Sequence, residues 1–185
     1  GGDDRDTPQR LFRTSADTDR NYTTIGNIGL TVTNFGTVGS RNAYWPDQPS
    51  CEYPRGSRIE HIYQGGLWVG AVSRQSGQQH VSTGATDQAS ASRIGRDYEF
   101  TSDLAAAMAQ RSTISSSRFF SEDAISHQDF VSLYTDLNRT NPTTGDTIPE
   151  HTPLGLSVRQ ESYAWNFPFA DFFVILNYTI TNAST

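Results

Sequence analysis

The chain has 185 residues, with 14 basic and 20 acidic side chains, four His and one Cys, which is enough length for one domain to bury its own core without metal or disulfide staples. A formal charge of -6 excludes a surface built to track nucleic-acid phosphates. The longest apolar runs, Leu104–Ala109 and Phe172–Leu176, fall far below the roughly 20 residues of a membrane-spanning helix.

Residues 1–24 form an extended N-terminal arm in this reading: charges crowd the segment and Leu11 and Phe12 are its apolar handle. Ile28, Leu30 and Val32 then alternate with Gly29, Thr31 and Thr33, the period of a strand with one apolar face. Asn34–Ser40 supplies turn chemistry through Gly36 and Gly39. The stretch from Tyr44 and Trp45 to Pro54 carries three prolines and is expected to be irregular, with no strand interior. Arg58–Val72 reads as two strand-like pieces about Gly65-Gly66, joined as a hairpin or as one bent, bulged strand.

Ser73–Ser117 is a polar insertion, with a short strand at Asp97–Phe100 and one short helix over Ser102–Arg111, where Ser102 caps, Asp103 suits the N-terminal dipole and the alanines propagate. Ser121–Ile125 fits a helical turn. A strand starts near Asp129, though its apolar spacing also admits a helix, and Asn138–Pro153 is loop. Leu154–Trp165 is a strand, and Phe172–Ile180 is the strongest one, expected to begin in the middle of the core and to emerge toward an edge. Ile28, Leu30, Val32, Leu67, Val69, Val174, Leu176 and Ile180 are expected to share one core. With about seven strands the economical architecture is all-β: an antiparallel two-sheet β-sandwich, Ig-like or jelly-roll-like, with long loops, occupying residues 25–185 as a single domain.

Four phrases in order, Gly29–Gly39, Pro49–Pro54, Gly65–Ala71, and Tyr163-Ala164-Trp165 followed by Asp171–Asn182, resemble the N-terminal β-rich region of large secreted surface proteins, often exported by the type IX secretion pathway. The resemblance covers about Gly26–Asn182 and implies an extracellular or cell-surface location after removal of a signal peptide, and it implies hardly any chemistry. A surface rich in Ser and Thr, 41 in all, points the same way.

No catalytic, cofactor or metal site emerges from the residue pattern. All basic residues are Arg, which removes lysine Schiff-base chemistry and a P-loop lysine, and there is no Gly-x-Ser-x-Gly elbow. Glu60 and His61 are strand neighbours on opposite faces, while Glu150 and His151 sit in a Pro-rich loop and read as surface residues. The scattered His and single Cys argue against zinc, and Cys51 reads as a small buried thiol outside any internal disulfide. Of the aromatics Tyr44, Trp45, Tyr53, Tyr63 and Trp68, only Tyr44 and Trp45, in a loop beside prolines, read as a ligand-stacking pair, and the strand aromatics read as core. Asn21, Asn138, Asn177 and Asn182 each head a glycosylation triplet.

The expected function is therefore a non-enzymatic extracellular subunit that partners copies of itself in a surface layer or filament, its arm packing on a neighbour through Leu11 and Phe12. The alternative is a carbohydrate-binding or adhesive module of a larger secreted protein, taking surface glycans at Tyr44 and Trp45.

Overall fold

The computed structural model describes residues 20–39, 48–73, 76–85, 99–102, 108–142, 145 and 147–183. The fold is all-β, with antiparallel pairing between strands throughout. One sheet has the order β1-β2-β3-β5, formed by Arg20–Tyr22, Gly29–Thr33, Thr37–Val38 and Gly65–Gly66, with β4 (Cys51–Glu52) also paired to β2. The second has the order β12-β11-β10-β8, formed by Val174–Asn182, Leu156–Ala164, Gln128–Thr135 and Thr101–Ser102, with β9 (Ala109–Arg111) also on β10. β6 (Trp68–Val72) and β7 (Gln79–Thr83) pair only with each other, as a two-stranded sheet.

The two large sheets face each other across apolar side chains. Leu30 and Val32 of β2 and Val38 of β3 meet Phe130 of β10, Met108 and Cys51, with Ile28, Val174 and Leu176 at the margin. A second cluster joins Phe100, Tyr134, Leu156 and Val158, and receives Leu67, Val69, Leu154 and Tyr178. The core expected as one is thus two, with Leu67 and Val69 in the second. Ile180, placed in the core from its alternation, is 45% exposed, because the facing cluster ends at Tyr178 and the inner side of β12 runs on past it.

Threonine does unusual service in β2. Thr31 and Thr33 share the buried strand with the aliphatics and are satisfied locally, Thr31 Oγ1 donating to the Pro49 carbonyl at 2.5 Å and Thr33 Oγ1 to the Thr37 carbonyl at 2.8 Å. The strand is buried on both faces instead of one, since its hydroxyls carry their own partners inside. The turn after it uses Gly36 and Gly39 at positive φ as expected, 83° and 66°. A Cβ on Gly84 would lie 2.4 Å from the Gly36 carbonyl oxygen, so two backbones cross there in contact.

Other expectations are corrected. There is no helix among the described residues: the two ends of the expected Ser102–Arg111 helix are strand, Ser102 pairing with Tyr134 and Ala109–Arg111 with Val131–Asp129, while 103–107 lie outside the described residues. Residues 97 and 98 are likewise outside them, and the strand near there is Thr101–Ser102. Ser121–Ile125 is a turn closed by Ala124 N on the Ser121 carbonyl. Between the prolines Cys51–Glu52 does pair, with Leu30 and Gly29. Gly65–Val72 is the bent strand: it leaves β3 at Gly66, breaks at Leu67 and continues as β6 against β7, whereas Arg58–Gln64 contributes only a bridge from Glu60 to Glu52. Among the described residues β12 is an edge strand along its whole length, although its apolar first half suggests the middle of the core.

Candidate functional site

The longest strands meet in one ladder in which β11 lies between β10 and β12 and all nine residues of β12 pair with β11. Ala183 N donates to the Gly155 carbonyl at 2.6 Å, which sets residues 155 and 183 at a hydrogen-bonded position of the ladder. Antiparallel hydrogen-bonded pairs alternate, and the odd residues of β12 therefore turn their backbone groups to β11. The even residues Val174, Leu176, Tyr178 and Ile180 turn theirs away, to the side on which no described strand follows.

Large apolar side chains gather at this edge. Ile175 is exposed on the outer face, and the turn that feeds β12 carries Phe167, Phe169, Phe172 and Phe173, with Phe169 74% exposed. Phe167 and Phe169 stack at 5.3 Å, Phe172 meets Phe173 edge-on at 5.6 Å, and Trp165 lies 6.0 Å from Phe173. His127 anchors the turn: its ring is 4.5 Å from Phe167 and its Nδ1 accepts from Asn166 N at 3.0 Å.

A second exposed face lies on hairpin β6–β7. Leu67 and Val69 enter the core, so Trp68 between them points out and is 67% exposed. Gly70 follows on the same face, where an added Cβ would meet only Val81 Cγ2 at 3.9 Å, and exposed Val81 and Val72 complete a shallow shelf. Trp68 is thus not the core residue expected of a strand aromatic. The alternation Leu67, Trp68, Val69 was the signal that places it outside.

Of the residues singled out from the sequence, Leu11, Phe12, Tyr44 and Trp45 lie outside the described residues. Cys51 is a buried free thiol, pushed up by burial and by the nearby Glu60 charge. Glu60 and His61 separate as expected: the Glu60 carboxylate accepts from Ser50 N and Cys51 N, while His61 Nε2 meets the Tyr53 carbonyl at 3.0 Å. Glu150 is exposed, but His151 is not the surface residue expected of a Pro-rich loop: it is 6% exposed, folded under the end of β10 with its Nε2 2.6 Å from the Asp136 carbonyl. Asn21 and Asn138 are half-buried and engaged with Met108 Sδ and Thr101 Oγ1, whereas Asn177 and Asn182 are exposed on β12. Among the described residues no group of three or more His, Cys, Asp or Glu gathers as a metal-ligand set. No family model, curated protein or solved structure matches the chain.

Proposed function

We propose that the chain is a non-enzymatic extracellular structural subunit that assembles with copies of itself into a surface layer or filament by strand addition at β12. The observation that carries this reading is the nine-residue edge strand whose even-numbered backbone groups face away from β11 beside exposed apolar side chains. An edge on which no described strand follows is a template for another strand. The occupant is the arm of a second copy, which is residues 1–19 instead of the expected 1–24 because Arg20–Tyr22 pairs with β2 of its own domain. Fully extended, such an arm reaches about 65 Å, and covering β12 takes about 30 Å, so it can leave its own domain and still span the edge. Leu11 and Phe12 are adjacent, and adjacent residues of an extended strand project to opposite sides, so such an arm offers one of them to the edge it covers. Such a contact is head-to-tail and propagates unless its rotation closes a ring. The extracellular setting is supported by the resemblance and by the Ser and Thr content.

The test is light scattering and negative-stain microscopy of the parent, of a chain lacking residues 1–19, of Phe12→Asp and of Ile180→Pro. Proline at 180 removes an N–H aimed away from β11 and leaves the β11–β12 ladder intact. All three variants should stay monomeric where the parent assembles. Assembly of the variants as in the parent, or a parent that is monomeric at high concentration, defeats the reading.

One observation favours the second reading, a glycan-binding module: the exposed Trp68 ring beside open Gly70 is a flat apolar shelf of the kind a sugar ring stacks on. Quenching of tryptophan fluorescence by soluble oligosaccharides, lost in Trp68→Ala, would bring it forward.

A further inference from the structure

Hairpin β6–β7 belongs to neither large sheet, and a two-stranded hairpin is marginal by itself, so its order depends on what ties it down. Besides Leu67 and Val69 in the second cluster, and Leu67 N on the Gly36 carbonyl at 3.0 Å, ties gather at the end of β7, where Thr37 Oγ1 donates to the Gly84 carbonyl. Ser82 Oγ donates to Asp136 Oδ2 at 2.7 Å. Thr83 N donates to Glu99 Oε2 at 2.8 Å, and Glu99 N returns a bond to the Thr83 carbonyl at 3.0 Å. Fully buried Asp136 also accepts from Leu154 N at 2.7 Å and Leu156 N at 2.6 Å, fixing the entry to β11. Glu99 and Asp136 are joined through one ring: His151 Nδ1 is 3.4 Å from Glu99 Oε1 and His151 Nε2 is 2.6 Å from the Asp136 carbonyl.

Both ring nitrogens of His151 face acceptors. A neutral imidazole has one N–H and one lone pair, so either tautomer sets a lone pair against an oxygen, at Glu99 or at the Asp136 carbonyl. The imidazolium satisfies both. The charged groups acting on the ring from the packed segments are Glu99, before β8, and Asp136, after β10.

We propose that the Glu99–His151–Asp136 junction is a proton-operated clasp: with His151 charged, hairpin β6–β7 is docked, and loss of the proton in alkaline solution loosens the hairpin and the Trp68 face with it. The clasp is independent of the assembly reading. Burial pushes the ring down, but the ion-pair contact with Glu99, the bond to the Asp136 carbonyl and the two carboxylate charges outweigh it, and the net direction is up. A group raised on folding adds stability that is whole below its ordinary value and is lost as pH climbs through the folded value, so the clasp opens on the alkaline side.

The experiment is side-chain nitrogen NMR of His151 in the full chain across pH, with hydrogen exchange of residues 68–83, corrected for intrinsic rate, at about pH 6 and about pH 9, values that bracket the ordinary His titration. The His151 midpoint should lie above the ordinary value. Hairpin protection should fall by about tenfold for each pH unit of that excess. His151→Gln should show low protection at both pH values, and Glu99→Gln should move the His151 midpoint down. A midpoint at or below the ordinary value, or parent protection that does not change with pH, overturns the clasp. Should His151→Gln fail to fold, the parent titration and Glu99→Gln still decide.

Discussion

Tyr134 sits fully inside the second cluster with its hydroxyl donating to Gln160 Oε1 at 2.9 Å, and Gln160 is itself buried. Burial, and secondarily the Tyr178 charge, push the phenol well above the ordinary tyrosine range, so it stays protonated at every working pH. Tyr134→Phe keeps the ring contact with Phe100, 5.3 Å away, and strands the Gln160 oxygen. The expected loss is about 1–3 kcal/mol in denaturant unfolding, the usual cost of an unmet buried acceptor, and a loss below half that range would mean water has taken the place of the hydroxyl. Pairs of this kind were invisible in the sequence. Tyr134 and Gln160 stand 26 positions apart, and although Gln160 shares the face of Leu156 and Val158, nothing local shows which hydroxyl meets it there. The same blindness hid His151, since its partner Glu99 belongs to a distant segment and its sequence neighbour Glu150 points to solvent.

At the scale of strands, local periodicity was a good guide to existence and a poor one to position. β2 and β11 lie where alternation puts them, because their apolar residues match the period of the pleat, whereas β10, with apolar residues at 130, 131, 133 and 134, does not alternate and is a strand through its pairing with β11, β9 and β8. The apolar run at 172–176 suggested a central strand, yet sheet order is a property of pairing partners that hydrophobicity does not encode, and β12 took the edge. Two-residue strands such as β3, β4, β5 and β8 carry no periodic signal at all. The placement has a measurable consequence in thermal or denaturant unfolding. Leu30→Ala, inside the first cluster, should cost about 2–5 kcal/mol, whereas Ile180→Ala should stay within about 0.5 kcal/mol. Equal losses at the two sites would place Ile180 in a core after all.

For the whole molecule, two titrations set opposite flanks of stability. Burial pushes Glu161 up, but Arg159 Nη2 donates to its Oε1 at 2.7 Å and, with the Arg159 charge, Tyr163 and Asn177, brings it below the ordinary value. Its contribution is present above that ordinary value, 4.5, and is lost as pH falls through the folded value. His151 contributes below its ordinary 6.5 and loses this as pH rises. Both are whole only in mildly acidic solution, so the melting temperature should peak between about pH 4.5 and pH 6.5 and decline on either side. A peak in alkaline solution would contradict the His151 assignment. The β11–β12 ladder also sets how the molecule bears load. Because nine consecutive residue pairs hold β12, a pull directed along that strand meets all of its bonds at once in shear instead of opening them singly. Hairpin β6–β7, paired only within itself and tied mainly at the end of β7, would open one contact at a time under a pull applied across it. Tension across the hairpin would therefore open it at a lower force than tension along β12 needs to shear the ladder.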